Sequence, residues 1–122
     1  LWMVDRTGTV RCLDLQTHQL AEVLQLPEAG CTQLAIAPDG RRVAIAQGES
    51  RSRVWIWDIA QREIVLRLEG ITGEIEQLTW NSTGDRLALF ALPGMLHLHE
   101  IPSGQPIPHR IPSESPIIGM HW

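Results

Sequence analysis

The chain has 122 residues, enough for one modest domain, and its net charge of −4 predicts no strong affinity for nucleic acid. All ten cations are arginine, and the absence of lysine excludes P-loop, Schiff-base and lysine-base chemistry. No apolar run approaches the roughly 20 residues that span a bilayer, so we predict no membrane segment.

Short apolar runs alternate with clusters of Gly, Pro, Asp and Ser, a pattern that predicts strands and tight turns. The predicted strands, in chain order, are residues 1–4, 9–15, 19–26, 31–37, 42–47, 53–59, 63–69, 74–80, 86–91, 95–101, 107–111 and 117–122. Turn chemistry supports the boundaries: Pro38-Asp39-Gly40 places a fixed φ and then a permissive glycine between two strands, and residues 82–84 occupy the same place in the next unit.

One segment occurs three times. Residues 54–59 (Val-Trp-Ile-Trp-Asp-Ile) are echoed by residues 10–15 and 96–101. The acidic residues of the three copies, Asp14, Asp58 and Glu100, are 44 and then 42 residues apart. Several short strands in a unit of about 40–45 residues are typical of a propeller. The difference of two residues falls in the loop 47–53, where a repeating scaffold tolerates changes of length.

The second strands of the two complete units are apolar at consecutive positions. Residues 43–46 and 87–92 contain no polar side chain, whereas a strand with one wet face would alternate. Both faces of these sheets should therefore be buried, as they are where blades stack around a propeller axis. We predict an all-β fold, a β-propeller fragment of four-stranded antiparallel blades with about three blades' worth of strands.

Residues 54–59 resemble the "WD" strand of WD40-repeat proteins, with Trp57-Asp58 as the dipeptide. Residues 34–40 are similar to the innermost strand of that family and its following turn. The resemblance covers essentially the whole chain and implies a scaffold for protein–protein interaction. Leu13 and His99 replace the tryptophan in the other copies. The Asp, His, Ser/Thr and Trp network that braces a WD40 blade is not visible, so apolar packing is expected to hold these degenerate units. The Pro-Asp-Gly turn is also similar to that of TolB-like propellers, which keeps that family open.

The repeat divides the chain into blades. Residues 1–26 supply the last three strands of a leading blade, 31–69 and 74–111 are full blades, and 117–122 are the first strand of a trailing blade. Known propellers need at least four blades to close. We therefore expect a fragment of a larger ring, completed by missing blades or by self-association through exposed blade faces.

The loop before the WD-like strand carries the local charge cluster Glu49, Arg51 and Arg53. Arginine can pair with an acidic partner or a phosphate, and a solvated loop tip is the competing interpretation. The resemblance implies that this loop lies on the partner-binding rim, with Thr72 and Glu74 as its neighbours. We predict a protein-binding site at these five residues.

The sequence gives less support for metal binding, catalysis or phosphate binding. His97 and His99 share a strand face, and His109 or His121 could approach them as further metal ligands, but their alignment with the two tryptophans of residues 54–59 favours a packing role. No Gly-x-Ser-x-Gly elbow and no glycine-rich phosphate cradle is present, so we assign no catalytic, cofactor-binding or metal-binding residue.

The cysteine usage bears on the compartment. Cys12 and Cys31 fit no metal or redox spacing and are predicted to be buried free thiols, which favours a reducing, cytoplasmic location.

We expect a non-catalytic scaffold that presents propeller loops to a protein partner, with no nucleic acid or membrane partner and no cofactor. Two alternatives stay open. One is an enzyme or small-ligand-binding propeller whose site needs further blades, and the other is a sensor module of a larger signalling NTPase or kinase.

Overall fold

The computed structural model of the chain describes residues 1–26 and 29–107. Over these residues the chain forms ten strands and no helix, and so no helix that could cross a membrane. The strand predicted at 117–122, and all but the first residue of the one predicted at 107–111, lie outside the described residues, as do His109 and His121.

The strands form three antiparallel sheets of consecutive strands. The first sheet contains β1 (Trp2–Val4), β2 (Thr9–Leu13) and β3 (Leu20–Gln25). The middle sheet contains β4 (Cys31–Ile36), β5 (Arg42–Gln47), β6 (Arg51–Asp58) and β7 (Glu63–Thr72). The third contains β8 (Ile75–Trp80), β9 (Arg86–Ala91) and β10 (Met95–Glu100). The all-β fold class, built from a succession of antiparallel blade-like sheets, is confirmed.

The largest departure from the predicted strands lies at one end of the middle sheet. β6 begins at Arg51, two residues earlier than predicted, and β7 continues to Thr72, three residues beyond Glu69. The extension exists because the ladder is shifted between Ser52 and Val54, after which Ser52 pairs with Ile71 and Arg51 with Thr72. A bulge of this kind inserts a residue and re-aims the side chains that follow it.

The middle sheet is buried on both faces, as the consecutive apolar residues indicate. One face packs on the third sheet and the other on the first sheet. The face towards the third sheet carries Ala44, Ala46, Val54 and Ile56. The face towards the first sheet carries Val43, Ile45, Trp55 and Trp57. Both tryptophans of the WD-like strand therefore fill the same interface, which accounts for their spacing of two residues.

Polar contacts join the middle and third sheets near the two turns that the sequence singles out. The Trp80 indole N–H donates to Ala35 O at 3.0 Å, and the Arg42 guanidinium donates to Gly84 O at 2.9 Å. Arg42 also pairs with Asp39 at 3.0 Å and lies 5.2 Å from the centroid of the Trp80 ring. One arginine thus connects the Pro-Asp-Gly turn of one sheet to the equivalent turn of the next.

Candidate protein-interaction rim

Within the described residues, the antiparallel order places five connections at one end of the sheets, and we call this end the rim. It consists of the connections β1–β2, β3–β4, β5–β6, β7–β8 and β9–β10. Backbone hydrogen bonds tie each connection to the next around this end. They run from Gly30 N–H to Arg6 O (2.7 Å), Gly48 N–H to Gly30 O (3.0 Å), Gly73 N–H to Ser50 O (3.0 Å) and Leu92 N–H to Glu74 O (2.9 Å). The rim is therefore a continuous hydrogen-bonded chain of loops rather than a set of independent loops.

Ser52 adds side-chain contacts to this series of backbone hydrogen bonds. Its side chain is buried, and its hydroxyl lies 2.6 Å from Gly73 O and 3.1 Å from Gly48 O, so that it can donate to a carbonyl of either rim connection. Both glycines have positive φ, and a Cβ at Gly48 would lie 2.4 Å from Arg51 O. Glycine is required at Gly48 because the loop folds tightly back on the start of β6.

A buried polar chain holds the β3–β4 connection. The Trp55 indole N–H donates to Gln47 Oε1 at 2.6 Å, and Gln47 Nε2 donates to Ala29 O at 2.8 Å. The expectation that apolar packing mainly holds the units therefore needs an addition, since a Trp–Gln–backbone chain also braces this blade. A lone glutamine at the end of an apolar strand is the sequence signal that could have indicated it.

The five predicted site residues all lie on or beside the rim, but they divide between two cavities. Arg51, Arg53 and Thr72 line a cavity of about 420 Å³, which we call the outer cleft; its other lining residues are Ser52, Glu69, Gly70 and Ile71. Glu49 and Glu74 line a second cavity of about 170 Å³, which we call the inner pocket; its other lining residues are Arg6, Gly30, Cys31 and Thr32. The structure thus joins Arg51 to Thr72 across the β6–β7 ladder and groups the two glutamates elsewhere.

Sequence reasoning missed residues in both cavities. Arg6 was missed although its turn is the counterpart, one repeat earlier, of the loop that carries Glu49. Glu69 and Ser52 were missed because the extension of β7, which brings them to the rim, depends on the bulge. The repeat could have indicated Arg6, whereas no local sequence signal indicated the other two.

The charged side chains Glu69 and Arg51 of the outer cleft differ in whether they have an ion-pair partner. Glu69 Oε1 lies 3.4 Å from Arg67 Nη1, and the Arg67 guanidinium lies 4.3 Å from the centroid of the Trp55 ring. Arg51 is exposed and forms no ion pair within residues 1–26 and 29–107. The acidic side chain of the cleft is thus paired with Arg67, whereas the Arg51 guanidinium has no acidic partner among the described residues.

The inner pocket contains a thiol with low reactivity. Burial, reinforced by the Asp5 carboxylate, raises the pKa of Cys31 to about 11, so the thiol stays protonated at neutral pH. Both cysteines are free, Cys31 being buried and Cys12 half-buried. A protonated Cys31 is a poor nucleophile, and the pocket gains no covalent chemistry from it.

The two candidate histidines stack on each other in the third sheet. The ring centroids of His97 and His99 are 6.4 Å apart with 14° between the planes, and His99 Nδ1 lies 3.1 Å from Gly104 O. Their strand partners are Leu89 and Leu87, whose side chains belong to the core between the middle and third sheets. In the described part of the chain, no three metal-binding side chains come together.

Comparison with known proteins adds one relationship. No family model matches the chain. The chain is similar to THO complex subunit 3 of Arabidopsis thaliana, with 24% identity over 115 residues. The match covers 94% of this chain and 36% of that protein, so the chain spans about a third of the length of the relative. This similarity and the succession of antiparallel sheets are consistent with WD40-type repeats.

Proposed function

We propose that this protein is a non-catalytic protein-interaction scaffold of the WD40-repeat type and that the rim is its partner-binding surface. The observation that carries the proposal is the hydrogen-bonded chain of rim connections from Arg6 to Leu92. A surface that is already ordered loses little conformational entropy when it binds, which favours association through loops held in this way.

The charged residues Glu49, Arg51, Arg53 and Glu74, together with Thr72, are the proposed contact residues. The named relative supports a protein partner, because it is by name a subunit of a complex. The proposal includes the division into blades at residues 1–26, 31–69, 74–111 and 117–122, completion by further blades or by self-association, and a cytoplasmic location.

Capture of partners by charge-reversal variants tests the proposal. The full chain, its Arg51→Glu variant and its Arg41→Glu variant are immobilised at equal density, and the proteins retained from an extract of the source cells are quantified. Arg41 is an exposed arginine in the β4–β5 turn at the opposite end of the sheets, so it controls for charge and for non-specific binding. Arg51→Glu is expected to reduce the retained partner at least tenfold because the new carboxylate repels what Arg51 attracted.

The Arg41→Glu control decides how a loss of retained partner is interpreted. Arg41→Glu is expected to retain the partner at the level of the unchanged chain. Equal losses in both variants, or no loss in either, would show that the rim is not the binding surface.

A further inference from the structure

We propose that the outer cleft binds an acidic segment of a protein partner, with a glutamate or aspartate carboxylate held by the Arg51 guanidinium and the Thr72 hydroxyl. This inference rests on the proposed function and specifies the chemistry of the partner. It follows from how the β6–β7 ladder arranges the cleft.

Arg51 and Thr72 are directly opposite each other in the antiparallel ladder, at the rim end of the sheet. Directly opposed residues on neighbouring strands have Cβ atoms about 4.5–5.5 Å apart, so both side chains reach the same space. A guanidinium offers two parallel N–H donors that fit a carboxylate, and a hydroxyl adds a third donor. Both side chains are exposed, and Arg51 is not engaged by another charge in the part of the chain that is described.

The acidic residue within the cleft does not occupy this donor pair. Glu69 pairs with Arg67, which is fixed in turn by lying over the Trp55 ring. A cation over an aromatic ring is held there by the ring quadrupole. Glu69 therefore has a cation of its own, which leaves Arg51 and Thr72 for an incoming carboxylate.

The floor of the cleft strengthens such an interaction. Ser52 and Ile71, both buried, also line the cleft. A charge–charge contact gains strength where low-dielectric protein replaces water on one side. The Gly73 N–H to Ser50 O bond and the Ser52 hydroxyl fix the backbone on both sides of Arg51, so the donors are arranged before binding.

The surroundings favour a peptide over a nucleic acid. Among the described residues, no aromatic side chain lines the outer cleft, whereas single-stranded nucleic acids are bound through stacking of bases on aromatic rings. The chain has a net charge of −4, and the inner pocket on the same rim contains Glu49 and Glu74. These charges oppose a continuous phosphate backbone, but they allow a peptide whose acidic residues are confined to a few positions.

Fluorescence anisotropy of the full chain with two labelled peptides tests the inference. The probe is a fluorescein-labelled heptapeptide with three central glutamates, and the control probe has glutamines in their place. Arg51→Ala is expected to weaken binding of the glutamate peptide about tenfold or more, since a charge-assisted bidentate contact is lost. Thr72→Val, which keeps the shape of the side chain, is expected to weaken it about threefold or more.

Two further variants separate a specific contact from general charge. Arg41→Ala, with the same loss of charge at the opposite end of the sheets, should leave the affinity within about twofold of the unchanged chain. Glu74→Gln should raise the affinity about twofold, because it removes a repelling charge from the rim, and the gain should disappear at high salt.

Equal binding of the glutamate and glutamine peptides, or equal loss in Arg51→Ala and Arg41→Ala, would overturn the inference. Tighter binding of an oligouridylate than of the glutamate peptide would overturn it in favour of a nucleic acid ligand. If the glutamate peptide does not bind but Arg51→Glu still loses the cellular partner, the acidic chemistry is wrong while the rim remains the binding surface. If neither the peptide nor the capture experiment responds to Arg51, both proposals fail.

Discussion

At the scale of single residues, two glycines near the rim differ in what surrounds them: Gly70 lies near the end of β7, and Gly73 lies in the β7–β8 connection. Gly70 and Gly73 both have positive φ, +78° and +91°. A Cβ at Gly70 would meet nothing within 4 Å, whereas a Cβ at Gly73 would lie 1.7 Å from Leu92 O. The close approach at Gly73 allows Leu92 N–H to bond to Glu74 O, the contact that joins the third sheet to the rim.

We expect Gly73→Ala to be far more destabilising than Gly70→Ala. Alanine at either position costs about 1–3 kcal/mol for the left-handed backbone. Gly73→Ala must also displace the Leu92 carbonyl, so its total cost should exceed about 4 kcal/mol. Urea unfolding followed by tryptophan fluorescence measures both free energies of unfolding. Similar losses in the two variants would show that the connections do not approach as closely as the structure places them.

At the scale of elements, equivalent strand pairs of consecutive sheets use different chemistry for the same connection. Trp55 donates to Gln47 across β5 and β6, and in the first sheet Arg11 pairs with Asp5 at 2.7 Å across β1 and β2. Both donors lie three residues before the acidic residue of the repeated segment, Asp58 or Asp14. This position of the repeated segment accepts either a tryptophan or an arginine, because both side chains place an N–H donor at the end of the neighbouring strand.

The Asp5 turn predicts a dependence of stability on pH. The Thr7 hydroxyl, the Arg11 guanidinium and the Thr9 backbone N–H hold the pKa of Asp5 well below its usual value. A carboxyl whose pKa is lowered by folding contributes stability above its unfolded pKa of about 4, and this contribution is lost as the pH falls through the lower folded value. Asp5→Asn should therefore lower the melting temperature at pH 7, and its difference from the unchanged chain should shrink below about pH 4.

Thermal melting from pH 7 to pH 2.5 measures this difference. Glu76→Gln makes the same change of charge at an exposed position of β8 and should stay close to the unchanged chain across the range. A melting difference for Asp5→Asn that stays constant down to pH 2.5 would mean that ionisation of Asp5 contributes little to stability.

The sequence predicted the strands and missed the arrangement of the site for a physical reason. Bounds such as Arg42–Gln47 and Arg86–Ala91 were predicted without error, because an uninterrupted apolar run and flanking turn residues are local signals. The extension of β7 to Thr72 depends instead on the register shift between Ser52 and Val54, which is a property of two strands together. The same register shift places Arg51 opposite Thr72. Arg51 and Glu49 therefore line different cavities although they are close in sequence, and the order of residues alone could not predict this division of the rim.

At the scale of the whole molecule, the middle sheet is the element on which both neighbours depend. Ile45 and Ile56 are both fully buried in this sheet, one facing the first sheet and the other the third. Arrays of stacked repeats behave as chains of nearest-neighbour interfaces, in which each unit is stabilised mainly by the units beside it. The two isoleucines therefore offer a matched pair of substitutions that weaken one interface each.

We expect Ile45→Ala and Ile56→Ala each to cost about 2–5 kcal/mol, through lost burial and the cavity left behind. Their hydrogen-exchange patterns should differ, because each substitution opens a different interface. Ile45→Ala should increase amide exchange mainly in β1–β3, and Ile56→Ala mainly in β8–β10. An equal increase in both outer sheets for either variant would show that the three sheets unfold as one unit. Exchange confined to one side would instead show that the outer sheets open separately. A partner bound across the rim connections would then hold them together, so partner binding should suppress the exchange that either substitution causes.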